Sequence, residues 1–132
     1  MARRLASLLV DTDIFIDYLN GVHRARAILD APRYRVYYSA VTRKELRGKL
    51  GLTSTERRRI ERLLQSHRLI PVDDTIAARF SRLLEKYADV GLRKADALVA
   101  ATAWSRALPL LTRNRRHYRF ISEITVIDPV EL

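Results

Sequence analysis

Three acidic residues stand where acids are costly, in a chain that is otherwise strongly cationic. Asp11 ends the apolar run at residues 8–10, Glu45 lies within a helical pattern, and Asp96 interrupts the apolar face of another helical pattern. A carboxylate held among apolar side chains is unfavourable unless a partner compensates its charge. A divalent cation is the simplest compensation for three converging carboxylates, because proteins bind Mg²⁺ through a few carboxylates together with water and phosphate oxygens.

Each of these acids also has a structural explanation. Asp11 could cap the helix that follows it, and Glu45 could be an ordinary surface glutamate. Asp96 is harder to explain in this way, since its helical neighbours Leu92 and Val99 belong to the apolar stripe, and Arg93 and Lys94 are expected to point elsewhere on the helix. The functional interpretation is therefore favoured most clearly at Asp96.

The basic composition predicts a polyanionic binding partner. The net charge is +10, and arginine accounts for 21 of the 25 basic residues. The planar guanidinium group of arginine matches the geometry of phosphate. Genomic base composition or a hot habitat explains an arginine excess equally well when that excess is considered alone. Together with the three acids, the charge points to a nuclease that depends on Mg²⁺ or Mn²⁺.

Composition also bounds the class of protein. The chain has no cysteine, which excludes disulfides, thiolate metal sites and cysteine nucleophiles. No segment approaches the roughly 20 apolar residues of a membrane span. The basic and then apolar start runs directly into Asp11, which favours a first strand over a signal peptide. We therefore expect one domain over residues 1–132, in the cytoplasm and without membrane contact.

Short apolar runs alternate with longer helical patterns, which is typical of a parallel α/β sheet. We expect four to five strands, near residues 8–10, 36–38, 69–72, 109–112 and 124–127. Pro71 indicates that the third strand lies at a sheet edge. Helices are expected over residues 12–20, 23–31, 39–50, 53–66, 74–87 and 92–107.

Local signals predict how several of these helices begin and end. Gly51 is expected to end the third helix, and Thr53 with Glu56 matches the capping box of the fourth. Asp74 or Thr75 is expected to cap the fifth helix. These signals place each helix without any tertiary information.

The expected sheet would bring the acids together. Ligands of open α/β sheets bind at the carboxyl ends of the strands, where Asp11 lies. Glu45 and Asp96, near the openings of two later helices, could reach the same crevice. One metal ion, or two, could then activate water for attack on a phosphodiester. Asp13 could join or orient this cluster, whereas Asp17 is expected to be solvated or a helix charge.

Four stretches occur in order over nearly the whole chain, at residues 8–19, 39–46, 96–103 and 109–118. Together they resemble the PIN domain family, and in particular the VapC ribonuclease toxins of toxin–antitoxin pairs. The resemblance implies a three-layer α/β/α fold with a parallel sheet. It also implies that Asp11, Glu45 and Asp96 bind the metal, with support from Thr12, Asp13 and Thr112.

The chain departs from the four-acid pattern of this family. The candidate positions for the fourth acid hold Asn114 and His117. Asn114 could offer an oxygen to a metal-bound water, which makes it a candidate catalytic residue. His117 could contact phosphate, although a surface position is the preferred interpretation. The neighbouring arginines are expected to hold the RNA backbone, and they are Arg113, Arg115 and Arg116.

The resemblance further implies a homodimer and a cognate antitoxin, a segment of which lies over the active groove. An apolar surface could receive such a partner, although core packing explains the same residues equally well. These residues are Phe15, Leu46, Leu50 and Leu52.

Three other interpretations remain at this point. Asp11 and Asp13 after an apolar strand are similar to the nucleophile motif of haloacid-dehalogenase-like phosphatases, but the chain is short for that fold and lacks a late pair of acids after a strand. A catalytically degenerate RNA-binding or partner-binding domain is favoured by Asn114 and opposed by the other acids. An RNA-maturation nuclease of the same fold would share every residue named above.

Overall fold

The computed structural model describes residues 6–132, which form a five-stranded parallel sheet with helices on both faces. The strands are β1 (Ala6–Val10), β2 (Tyr34–Ser39), β3 (Arg68–Ile70), β4 (Leu110–Leu111) and β5 (Val126–Ile127). The helices are α1 (Thr12–Leu19), α2 (His23–Leu29), α3 (Ala40–Arg47), α4 (Ser54–Gln65), α5 (Asp74–Lys86) and α6 (Lys94–Arg106). Single-turn 3₁₀ helices lie at Ala88–Val90, Arg115–His117 and Pro129–Glu131. The first five residues, which the single-domain prediction includes, lie outside the described residues.

The strand order β3-β2-β1-β4-β5 creates a switch point beside β1. The chain builds β1, β2 and β3 outward in one direction, and then crosses through α5 and α6 to pair β4 on the other side of β1. Leu9 is in register with Leu110, and Val10 with Leu111. The carboxyl ends of β1 and β4 therefore meet at the switch point, where open α/β sheets bind their ligands.

Two hydrophobic cores cover the two faces of the sheet. Leu8 and Val10 pack into the core formed with α1 to α4, whereas Leu9 packs with α5 and α6 on the opposite face. All three side chains are at most 3% exposed. A strand buried on both faces is an unbroken apolar run, which is why residues 8–10 lack polar alternation. The predicted three-layer α/β/α architecture is confirmed.

The third helix is shorter than predicted. It ends at Arg47, and Gly48 rather than Gly51 follows it, with the Gly48 amide donating to the Lys44 carbonyl at 2.9 Å. A Cβ atom at Gly48 would lie 2.8 Å from that same oxygen, so the tight end of the helix requires glycine here. Gly51 instead adopts a positive φ of 77° in the turn before α4.

Other local predictions are partly confirmed. The capping box of Thr53 and Glu56 is present at α4, and β3 is an edge strand that ends before Pro71. The cap of α5 was predicted one or two residues too late, because Asp73 accepts the Ile76 amide at 2.8 Å. Within residues 6–132, no helix has the length and apolar character needed to cross a membrane.

Candidate active site

Asp11 lies at the switch point, where it caps a helix and is a candidate site residue. Its Oδ1 accepts the Thr12 amide at 2.9 Å, which caps α1, and its Oδ2 accepts the Thr112 hydroxyl at 3.0 Å from the end of β4. Burial raises the pKa of Asp11, and the charge of Asp96 adds to the rise against the opposing hydrogen bonds. The predicted supporting role of Thr112 agrees with this contact.

Asp13 is held at the same edge by the segment after β4. Its Oδ2 accepts the Arg113 amide at 2.9 Å, with the Thr112 hydroxyl 3.4 Å away. Its Oδ1 is buried and has no hydrogen-bond partner among residues 6–132. Burial, and then the charge of Asp11, raise the pKa of Asp13 to about 6. A buried carboxylate oxygen without a donor is a position at which a cation or a water molecule would compensate charge.

Glu45 reaches the site through Thr12. The Thr12 hydroxyl donates to Glu45 Oε1 at 3.1 Å and lies 2.9 Å from the Thr42 hydroxyl. Partial burial raises the pKa of Glu45, and the charges of Asp11 and Asp96 act in the same direction. The residue is nevertheless exposed as a whole. Glu45 therefore stands on the open side of the acidic cluster, where it can meet solvent and substrate.

Asp96, in the first turn of α6, receives its partners from the 3₁₀ turn Arg115–His117 and the residue after it. The buried Tyr118 hydroxyl donates to Asp96 Oδ1 at 3.2 Å, and His117 Nδ1 lies 3.6 Å from Asp96 Oδ2. Burial and the charges of Asp11 and Asp96 raise the pKa of Tyr118, so the phenol remains a proton donor. His117 is therefore a half-buried residue whose ring faces Asp96, and its role stays a prediction.

The arginines near the site differ in how they are engaged. Arg113 donates to Asp17 Oδ1 at 3.1 Å, so the prediction that Asp17 is solvated is wrong. Arg115 lies 3.6 Å from Glu131. Arg116 is exposed and has no ion pair within the described part of the chain. Of the three arginines predicted to bind phosphate, Arg116 could therefore do so without first leaving an acidic partner among the described residues.

Asn114 lies at the rim of the site. It is exposed, and its backbone amide donates to the Thr112 hydroxyl at 3.0 Å. Its side-chain amide makes no hydrogen bond to residues 6–132. The side chain is therefore available to solvent, and its predicted catalytic role stays a prediction.

The donor set fits a hard divalent cation held partly by water. Desolvation and mutual repulsion raise the pKa of Asp11, Asp13 and Glu45, which a nearby cation would relieve. No three His, Asp or Glu side chains of residues 6–132 are close enough to complete a metal site by themselves. Mg²⁺ commonly binds one or two carboxylates and keeps several waters, which is the coordination that this site offers.

An apolar groove of about 920 Å³ opens beside the acids. It runs between the α1, α3 and α4 side of the molecule and the α5 and α6 side, and it reaches Glu45. Its larger apolar lining residues are Ile16, Leu19, Val41, Leu46, Leu52, Ile60, Phe80 and Leu98. Phe15 belongs to the core and is fully buried, while Leu50 is 94% exposed outside the groove. Of the four apolar residues named from sequence, Leu46 and Leu52 therefore line this surface.

A five-stranded parallel sheet with carboxylates gathered at its switch point defines a PIN-like α/β domain. The chain belongs to the PIN domain family, whose model matches residues 8–121. The resemblance stated from four sequence stretches is thereby confirmed.

Known proteins resemble the chain over most of its length. Ribonuclease VapC10 of Mycobacterium tuberculosis is 36% identical over 123 residues, covering 89% of this chain and 90% of that protein. A toxin–antitoxin complex from Klebsiella pneumoniae contains a chain that is 29% identical, with a TM-score of 0.76 and coverage of 92% and 97%. VapBC2 of Rickettsia felis, solved with a fragment of promoter DNA, reaches a TM-score of 0.83 at 16% identity, with coverage of 92% and 98%. This last likeness concerns the fold alone.

Two site residues escaped the sequence reasoning. Tyr118 was noticed only as part of a matching stretch, although its hydroxyl lies between two site acids. Thr42 was not singled out, yet it is fully buried against Thr12. The available signal is position, since Thr42 lies three residues before Glu45 on the same helical face, and Tyr118 follows His117 directly.

Proposed function

We propose that this chain is a metal-dependent endoribonuclease and the toxin component of a toxin–antitoxin pair. The observation that carries the proposal is the convergence of three acids from separate elements at the switch point of a PIN domain. Asp11 follows β1, Glu45 lies on α3, and Asp96 opens α6. Relatives named as ribonucleases and as members of toxin–antitoxin complexes support the assignment of substrate class and biological role.

The acids have distinct roles in this proposal. Asp11 and Asp96 hold a Mg²⁺ or Mn²⁺ ion, and Glu45, on the open side, binds it or orients the attacking water. A divalent cation bound by these acids would lower the pKa of a water molecule and stabilise charge on the phosphodiester. Thr12 and Thr112 fix the carboxylates of Glu45 and Asp11 through their hydroxyl groups. Asn114 offers its side-chain oxygen to a water molecule at the rim.

The basic surface supplies affinity for the RNA backbone. Arg116 contacts phosphate directly, whereas Arg113 and Arg115 must exchange their contacts with Asp17 and Glu131 for phosphate. Such contacts release counterions from the RNA, so binding should weaken as salt rises and depend little on sequence. Cleavage specificity must then come from the shape of the groove around the acids.

The apolar groove is the docking surface for the antitoxin. Its lining combines apolar side chains with more basic than acidic residues, the bases being Lys44, Lys49, Arg59 and Lys94 and the acids Glu45 and Glu56. An amphipathic segment with acidic flanks fits this combination. Because Glu45 lines the same groove, an occupant would lie against a site acid and exclude RNA. Homodimerisation, implied by the resemblance, stays a prediction that the molar mass in solution would test.

The proposal is tested by RNA cleavage with purified protein in Mg²⁺, Mn²⁺ or EDTA. Asp96→Asn should lose activity by on the order of 100-fold or more, since even outer-shell partners of a metal contribute 10- to 100-fold. Asp89→Asn is the matched control, because Asp89 is exposed in the 3₁₀ turn Ala88–Val90. Thermal unfolding of each variant shows whether the fold survives. Wild-type-like cleavage by folded Asp96→Asn would refute the assignment.

A degenerate binding domain is the second candidate, and the observation favouring it is that Asn114 and His117 stand where a fourth acid is expected. It predicts RNA binding without metal-dependent cleavage by the partner-free wild type. A toxin is distinguished from an RNA-maturation nuclease by expression in cells. The toxin should arrest growth, and its antitoxin should relieve the arrest.

A further inference from the structure

We infer that His117 is a ligand of the catalytic cation, which makes this a mixed nitrogen and oxygen site that favours Mn²⁺ over Mg²⁺. The inference rests on the proposed function, because it assigns one more ligand to the cation of that same site. His117 is one of the two positions at which the chain departs from the four-acid pattern.

The spacing between His117 and Asp96 leaves room for a shared ion. Nδ1 of His117 lies 3.6 Å from Oδ2 of Asp96. A hydrogen bond between nitrogen and oxygen would require about 2.7–3.2 Å, so the two groups face each other without one. Neighbouring ligands of an octahedral ion, each bound at about 2.1 Å, lie about 3.0 Å apart. The two side chains would therefore need to approach each other by only about 0.6 Å to bind the same ion.

The two oxygens of Asp96 are already divided between two neighbours. Oδ1 accepts the hydroxyl of Tyr118 at 3.2 Å, which leaves Oδ2 facing the imidazole. Tyr118, the residue after His117, is 1% exposed, so its buried ring fixes the backbone beside His117. The His117 amide donates to the Asn114 carbonyl at 3.0 Å, which closes the 3₁₀ turn beneath the imidazole. His117 is thus positioned by its backbone and its neighbour.

Imidazole changes which cation the site prefers. Mg²⁺ selects oxygen ligands, whereas imidazole suits first-row transition metals, and affinity for a mixed site rises from Mn²⁺ onward through that series. The chain contains two other histidines, His23 and His67. His23 is exposed at the start of α2, and the ring of His67 packs edge-on against Phe15 at 6.0 Å. His117 is therefore the histidine that faces the acids.

Pulsed electron paramagnetic resonance of Mn²⁺ added to the metal-free protein tests the inference directly. Nitrogen coordinated to Mn²⁺ modulates the electron spin echo, so the wild type should give a ¹⁴N signal. His117→Ala and His117→Asp should lose this signal, and His117→Ala should bind Mn²⁺ at least about tenfold more weakly. His117→Asp should bind Mg²⁺ more tightly than the wild type does, relative to Mn²⁺. His23→Gln, the control, should leave the nitrogen signal unchanged.

The outcomes separate this inference from the proposed function. Mn²⁺ bound without nitrogen modulation, by a wild type that cleaves RNA, would overturn the role of His117 and leave the nuclease intact. A nitrogen signal that persists in folded His117→Ala would overturn it as well. A wild type that neither binds Mn²⁺ nor cleaves RNA would overturn both. Loss of the ¹⁴N signal in both His117 variants, with the signal of His23→Gln unchanged, supports His117 as a ligand of the cation.

Discussion

Asp13 should make the metal-free protein less stable as the pH rises towards 7, because its pKa is raised in the folded state. Burial, and then the charge of Asp11, raise the pKa of this carboxyl from 3.8 to about 6 in the folded state. The folded state therefore holds the proton more tightly than the unfolded chain does. The stability that Asp13 contributes is fully present below pH 3.8 and is lost as the pH rises through about 6. Neutralising the carboxyl should remove this dependence.

The size of the effect follows from the shift. A change of about two pKa units corresponds to about 3 kcal/mol, which is an upper value because the surrounding protein relaxes. Asn keeps an oxygen for the Arg113 amide, which donates to Asp13 Oδ2 at 2.9 Å. Asp13→Asn should therefore match the wild type near pH 4 and exceed its free energy of unfolding by roughly 2 kcal/mol at pH 7.

Urea unfolding at pH 4 and pH 7, with EDTA present, measures both free energies. The difference between wild type and variant isolates the Asp13 contribution, because Asp11 and Glu45 titrate in both proteins. Asp89→Asn, at an exposed position, is the matched control and should change little at either pH. A folded Asp13→Asn that is less stable than the wild type at pH 7 would refute the proposed contribution of Asp13. Equal losses of stability in the two proteins between pH 4 and pH 7 would refute it as well.

Three further predictions concern Tyr118, Arg116 and the apolar groove. Tyr118→Phe removes the donor to Asp96 and should lower the free energy of unfolding by about 1–2 kcal/mol in urea, with reduced cleavage; unchanged stability and cleavage would contradict this role. Arg116→Ala should lower the salt slope of RNA binding by about 0.7, measured by fluorescence anisotropy. Arg33→Ala is the control, because Arg33 precedes β2 at the amino-terminal end of the strand, away from the site, and it should leave the salt slope unchanged. Equal effects of the two variants would contradict a local phosphate contact at Arg116. Ile16→Glu, at a 42% exposed groove position, should weaken antitoxin binding by at least about 30-fold in calorimetry. Val90→Glu, 58% exposed outside the groove, should not, and unchanged binding by Ile16→Glu would contradict groove docking.

The sequence by itself determined the layer architecture and the principal acids. Buried parallel strands require apolar side chains on both faces, so the run at residues 8–10 is visible without a structure. Asp96 is conspicuous because ionised groups are costly on an apolar helical face. The capping box of Thr53 and Glu56 is equally readable, since it depends on contacts within four residues.

Tertiary structure alone decided which groups the acids meet. Thr112 and Asp11 are 101 residues apart in sequence, and Arg113 and Asp17 are 96 apart, yet the crossover that places β4 beside β1 brings each pair together. The same packing turns His117 toward Asp96. Local propensity carries no information about such pairs, because their geometry depends on how distant elements pack. The sequence therefore determines which residues are costly to bury, and the fold determines what compensates them.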